Sequence, residues 1–332
     1  MSERPAPPQR SAPTLVALRA LGLGDFLCGV PAYRALARAF PHHHRILALP
    51  CPLHPLVSLL DGAFDESIAV GPLEPLPPSL GAVDVAVNLH GRGPQSHRIL
   101  LDAKPRWLIA FAHRDVPQSA RGPRWDSEEH ERLRWCRLLT QAGIAADPAA
   151  LSLPRPVAAA SRLPADAVVL HPGAASAARR WPAARWAATA GALAAEGLTV
   201  LLTGSSAERV LCREIATQAQ TATVVDLAGE TTLLELALLV AKARCLISGD
   251  TGIAHLASAY GTPSVVLFGP TPPGTWGPPE RPQHRVLWSG SVGDPHGKTA
   301  DAGLLALTVA DVLAAARQLL EHARPEPKGK QV

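Results

Sequence analysis

Charge is scarce in this chain. Asp, Glu, Lys and Arg make up only 18% of its 332 residues, and 32 basic residues against 28 acidic ones leave a net charge of +4. So small and scattered an excess is no footprint for nucleic acid, and nucleic acid is excluded as a partner. Long hydrophobic runs are missing too. No stretch reaches the roughly 18 apolar residues of a membrane helix. The opening residues carry Pro and Arg but no apolar h-region, so no secretory signal is expected. The five cysteines are odd in number and widely spaced, without a C-x-x-C, which removes zinc ribbons and disulfide frameworks from consideration. These shortages point to a cytoplasmic location. A dinucleotide fingerprint is also lacking: Gly22-Leu23-Gly24 is followed at the third position by Leu27, not glycine. What is plentiful is apolar material, 47% of the chain, enough for two cores in a length of about two domains.

The order of elements indicates two α/β domains. In the first half, Thr14–Arg19, Arg45–Leu49, Val83–Leu89 and Trp107–Phe111 read as strands. A helical spacing follows Asp25 as far as Phe40, with Pro31 inside it as a candidate start, and Glu128–Gly143 reads as a helix capped by its glycine. Strands that are apolar throughout and alternate with helices belong to parallel sheets covered on both faces. Pro148 to Pro164 is dense in Pro and Ala and reads as a linker. The alternation then restarts with strands at Ala167–His171, Thr199–Thr203, Thr223–Asp226, Arg244–Ser248 and Ser264–Phe268. The expected division is a disordered leader over 1–13, an N-terminal domain over 14–155, a C-terminal domain over 156–323 and a frayed tail over 324–332.

Chemistry concentrates where strands meet helices. His171-Pro172-Gly173-Ala174 ends a strand and Arg179-Arg180-Trp181-Pro182 opens a helix, a junction that offers backbone N–H groups, a positive helix end and guanidinium donors to phosphate. The bland alternative is a βα loop with two solvated arginines. Ser248-Gly249-Asp250-Thr251-Gly252 stands at the next such junction, with Thr251 a candidate N-cap and His255 one turn further on the same face. Phe268-Gly269-Pro270-Thr271 ends the following strand. Ligands bind outside the carboxyl ends of strands in open α/β sheets, so a ligand role for His255 outweighs a structural one. After Gly204, Glu208 could bind ribose hydroxyls or simply complement a helix dipole. The run Asn88-Leu89-His90-Gly91-Arg92-Gly93, with Ser96 and His97, is either an acceptor pocket or a polar surface loop.

In order and spacing these blocks resemble glycosyltransferase family 9, the lipopolysaccharide heptosyltransferases, from Leu15 to about Leu320. The matching pieces are Gly22 to Asp25 with Pro31 to Leu36, Pro172 to Pro182, Gly249 to Ala257, Gly261 to Pro263 and Phe268 to Thr271. The resemblance implies a GT-B fold, two Rossmann-like domains facing across a cleft, with a C-terminal helix that returns to the first domain. It also implies inverting transfer from a nucleotide-sugar such as ADP-heptose to a glycan or other hydroxyl acceptor, with no obligatory cofactor and no metal. Asp25 then corresponds to the catalytic base. Arg179, Arg180, Gly204, Glu208, Asp250, Thr251, Gly252, His255 and Thr271 form the donor set, and Gly24, Asn88, His90 and Arg92 the acceptor set. Peripheral membrane association would come through the acceptor. Two departures stand out: Arg179 sits where lysine is frequent, and Gly293-Asp294-Pro295-His296-Gly297 replaces the usual cysteine-containing segment. The competing readings are a nucleotide-sugar epimerase, a catalytically silent sugar-nucleotide-binding protein, which would lack the carboxylate at position 25, and a nicotinamide oxidoreductase, which would need the missing glycine fingerprint.

Overall fold

The computed structural model describes residues 12–157 and 164–322. The leader expected at 1–13, apart from its last two residues, lies outside these, as do residues 158–163 of the linker and the tail expected from 324. The chain divides into two compact units that interleave in sequence. Of the described residues, one comprises those up to Leu21, Pro31–Trp125 and Trp135–Asp147; the other comprises Gly22–Val30, Asp126–Arg134 and those from Pro148 onward.

The first unit is built on β1 (Thr14–Leu18), which is followed by α1 (Leu23–Cys28) and α2 (Val30–Ala39). Then come β2 (His44–Leu49), β3 (Glu66–Ala69), β4 (Val85–Asn88), α3 (Gln95–Asp102), β5 (Trp107–Ile109) and α4 (Glu131–Gln141). Of these, α1 and the first turn of α4 cluster with the second unit. The strands form one parallel sheet in the order β3-β2-β1-β4-β5. Leu15, Val16, Ala17, Ala86 and Val87 are completely buried, as the unbroken apolar runs require of strands covered on both faces. The single helix expected after Asp25 is two, broken at Gly29, with Pro31 in the first turn of the second, where its missing N–H costs nothing. The loop expected to run from Asn88 to His97 ends earlier: α3 starts at Gln95, and Ser96 and His97 are buried in it.

The second unit continues with β6 (Val168–His171), α5 (Ala183–Ala195), β7 (Val200–Leu202), α6 (Arg209–Ala219), β8 (Val224–Asp226) and α7 (Leu233–Lys242). After these come β9 (Cys245–Gly249), α8 (Gly252–Tyr260), β10 (Ser264–Leu267), α9 (Pro273–Trp276), β11 (His284–Leu287), α10 (Ala302–Ala306) and α11 (Val309–His322). Its six parallel strands lie in the order β11-β10-β9-β6-β7-β8, one more than the sequence suggested. Read in chain order this is 3-2-1-4-5-6, the dinucleotide-fold arrangement, whose order reverses between β6 and β9. That crevice receives the loops carrying Arg179 and Asp250. The C-terminal helix does not leave this unit: Val312, Ala316 and Leu319 of α11 join the buried core with Trp186 and Leu193 of α5 and Val265 of β10.

Candidate active site

The pocket at the switch point of the second sheet measures about 580 Å³. Its walls come from Gly22 to Asp25 at the start of α1, the β6 loop with His171 and Arg179, Leu236 of α7, the β9–α8 junction from Asp250 to His255, Thr271 with Trp276 beyond β10, and the segment of Pro295 and His296. Two glycines bring the start of α1 and the β9–α8 junction together. A Cβ on Gly252 would lie 2.8 Å from Leu23 Cβ and 2.9 Å from the Gly24 backbone nitrogen. A Cβ on Gly24 would lie 3.1 Å from Cδ2 of His255. The short helix α1 therefore rests backbone-to-backbone on the N-terminus of α8, and Asp25, at its third position, lines the pocket. Asp25 Oδ2 also accepts the Gly22 N–H at 3.2 Å, an N-terminal capping contact.

Arg179 and Asp250 face each other. The guanidinium Nη1 donates to the Asp250 carbonyl at 3.3 Å and lies 3.8 Å from its Oδ2, while Arg179 Nε is buried with no partner among the described residues. Asp250 is 7% exposed, and burial pushes its pKa up to about 6 against the opposing pull of Arg179. Below about pH 6, where Asp250 is mostly neutral, its carboxyl no longer offsets the charge of Arg179. Thr251 occupies the N-cap of α8 with extended backbone but makes no side-chain capping bond, so the hydroxyl expected to cap the helix is not used there. His171, also on the wall, holds Thr203 Oγ1 at 3.0 Å through Nδ1, and burial lowers its pKa while Glu208 opposes the shift.

Three donor-set residues do not line this pocket. Arg180 is exposed and donates through Nε to the Ala174 carbonyl at 2.9 Å, bracing the β6 loop. Glu208 closes a capping box, its Oε2 accepting from Ser205 N at 2.7 Å and Ser205 Oγ at 2.8 Å. A Cβ on Gly173 would come within 1.9 Å of its Oε1, so a side chain at this loop position would have to displace the Glu208 carboxylate. Gly204 lies beside the same carboxylate.

Of the acceptor set, Gly24 belongs to the pocket and the others lie in the first unit. Asn88 is fully buried; its amide donates to Ser96 Oγ at 2.9 Å and His97 Nδ1 at 2.7 Å, and its Oδ1 accepts from His90 N at 2.9 Å. It shapes the loop rather than offering its amide to solvent. His90 Nδ1 accepts from Ala20 N at 3.2 Å, and burial, then the charge of Arg19, lower its pKa to about 4. Arg92 is exposed.

Sequence reasoning did not assign Trp276 or His296. Trp276 meets the His255 ring edge-on at 6.0 Å. Pro295 and His296, from the segment that departs from the family pattern, stand on the pocket wall. The segment is fastened to the Arg179 loop, with Gly297 O accepting from Ala178 N at 3.1 Å and Ser176 Oγ at 3.2 Å. Nothing in its composition signals that contact. Among the described residues no group of three or more His, Cys, Asp or Glu is placed to hold a metal ion.

Two parallel α/β domains of this topology make a GT-B fold, and solved structures agree. A glycosyl transferase family 9 protein from Veillonella parvula superposes with a TM-score of 0.78 at 20% identity, covering 93% of this chain and 98% of that one. The Escherichia coli ADP-heptose lps heptosyltransferase II does so with a TM-score of 0.72 at 23% identity, covering 93% and 99%. The family described as glycosyltransferase family 9 (heptosyltransferase) matches residues 124–300. The chain belongs to glycosyltransferase family 9. Among curated relatives, lipopolysaccharide heptosyltransferase 3 of E. coli is 36% identical over 159 residues, 46% of each chain. Lipopolysaccharide heptosyltransferase 2 of Salmonella typhimurium is 35% identical over 113 residues, 33% of this chain and 32% of that one. The matched stretches thus span between a third and a half of those relatives.

Proposed function

We propose that the protein is an inverting glycosyltransferase that moves a sugar, heptose from ADP-heptose in the first instance, onto a hydroxyl of a glycan acceptor. One observation carries this reading: a carboxylate (Asp25), an arginine with an unsatisfied buried N–H (Arg179) and the N-terminus of α8 converge on a single pocket at the sheet's switch point. Asp25 takes the proton of the acceptor hydroxyl as its oxygen attacks the anomeric carbon. The bond from that carbon to the diphosphate breaks, and the departing nucleoside diphosphate keeps the electron pair. Arg179 and the α8 backbone N–H groups from Gly252 onward meet the charge that accumulates there, with Thr251, His255 and Thr271 around the sugar and phosphates. A general base contributes about 10²–10⁴ in rate, and preorganised electrostatic stabilisation a comparable factor.

Glu208, with Gly204 beside it, meets the ribose hydroxyls of the nucleoside end, and Arg180 braces the β6 loop. On the acceptor side we assign Gly24 in the pocket and, within the first unit, His90 and Arg92 on the loop that Asn88 shapes. The donor supply implies a cytoplasmic enzyme that meets a membrane only through its acceptor. No described helix is long and apolar enough to cross one. The protein needs no metal or other cofactor in this scheme.

The testing experiment is a panel of ADP, UDP and GDP with their sugar conjugates, read by thermal shift and by sugar transfer. A ligand present at about 100 times its dissociation constant adds about 2.7 kcal/mol to the folded state. The reading expects ADP and its sugar conjugates to raise the melting temperature most and ADP-heptose to yield product. No shift with any nucleotide diphosphate would remove it.

A further inference from the structure

His255 is gripped from a direction the pocket does not reach. Cys28, the last residue of α1, is 3% exposed, and its Sγ lies 3.6 Å from Nδ1 of His255. Four residues earlier on the same helix, Gly24 faces the opposite edge of the ring, where a Cβ would stand 3.1 Å from Cδ2 and 3.4 Å from Nε2. Residues four apart lie one above the other on a helix face. The imidazole is therefore laid along α1, with Nδ1 at Cys28 and the Nε2 edge at Gly24, next to Asp25 in the chain.

A thiol is a weak donor and a weaker acceptor, whereas an unprotonated imidazole nitrogen accepts well. The favoured arrangement has the Cys28 S–H donating to Nδ1, which leaves the proton of the neutral ring on Nε2. Ser258, one turn beyond His255, does not compete for the ring, because its hydroxyl donates to the Ala254 carbonyl at 3.3 Å. The space behind the pair, lined by His130, Arg132 and Ser258 among others, measures about 10 Å³, room for one water at most and for no substrate.

We propose that Cys28 is a positioning residue: it fixes His255, a residue of the pocket wall, as the Nε2–H tautomer. The kinetic consequence rests on the transferase reading; the tautomer itself does not.

The test is ¹⁵N imidazole NMR of the whole protein, with the His255 signals identified by their loss in His255→Gln. In the parent protein Nδ1 is expected as an unprotonated, hydrogen-bonded acceptor and Nε2 as the protonated nitrogen. Cys28→Ser, with a stronger donor, retains that pattern, and Cys28→Ala moves it toward tautomer averaging. In parallel, Cys28→Ala lowers kcat/KM for the donor by about two- to tenfold, the range for one lost neutral hydrogen bond, while nucleoside affinity holds and Cys28→Ser restores the rate. A protonated Nδ1 in the parent overturns the proposal without need of any variant. So does an unchanged ¹⁵N pattern in Cys28→Ala that keeps its near-UV circular dichroism. Absence of transfer from every nucleotide-sugar is a failure of the transferase reading, and the spectra still decide the role of Cys28.

Discussion

Arg179 and Asp250 face each other in the pocket, and each predicts a measurement. If the guanidinium meets the diphosphate, Arg179→Ala weakens ADP binding about ten- to hundredfold, the value of one charge-assisted hydrogen bond, and leaves adenosine binding nearly unchanged. Calorimetric titration with both ligands separates the two, and equal losses would remove Arg179 from the phosphates. Asp250 predicts a dependence on pH. Its folded pKa of about 6 lies above the ordinary carboxylate value of 3.8 because burial disfavours the charged form. Its contribution to stability is thus complete below about pH 4 and lost as the pH rises through 6, about 3 kcal/mol in all. Asp250→Asn cannot ionise and lacks this slope, so urea midpoints at pH 4 and pH 7.5 differ less in the variant than in the parent. Both residues were legible in the sequence because short motifs at strand ends place them. Trp276 and His296 were not, because their position on the pocket wall follows from how distant loops are fastened, as Gly297 is to the Arg179 loop.

Between elements, the determining contact is that of α1 with α8. Gly252→Ala puts a methyl 2.8–2.9 Å from Leu23 Cβ and the Gly24 nitrogen, and the second is backbone that cannot rotate away. The variant should lose about 1–3 kcal/mol of stability, by the usual cost of overpacking, and should lose transfer as Asp25 is displaced. Gly24→Ala meets the ring edge at 3.1 Å and the Gly252 Cα at a looser 3.4 Å and should be milder in both, a ranking that denaturation and turnover check together. Most strands could be read from their apolar runs, from β1 through β10. The exceptions, β3 and β11, are edge strands whose residues are partly exposed (Glu66-Ser67-Ile68-Ala69 and His284-Arg285-Val286-Leu287), and only their pairing with β2 and β10 makes them strands. The start of α3 escaped for a related reason. Its opening Gln95-Ser96-His97-Arg98 is polar, yet His97 is buried because its Nε2 donates to the Phe111 carbonyl at 2.7 Å while Nδ1 takes the Asn88 amide. Polar residues satisfied by tertiary partners look like loop in one dimension.

Across the whole molecule, chain order and compact unit do not coincide: the segment bearing Asp25 follows the first strand in sequence yet clusters with the donor-side sheet. A candidate base and a candidate phosphate site therefore share one unit and one pocket, an arrangement suited to a carboxylate acting on a reaction centre held by Arg179 and α8. The same carboxylate caps α1 through the Gly22 N–H, and asparagine would cap nearly as well. Asp25→Asn separates the two roles. With donor binding measured on its own and product formation measured with a permissive acceptor, a general base predicts near-parental donor affinity and a turnover lower by about 10²–10⁴. Parental turnover in Asp25→Asn would contradict it, leaving Asp25 as a helix cap and the base to be found elsewhere.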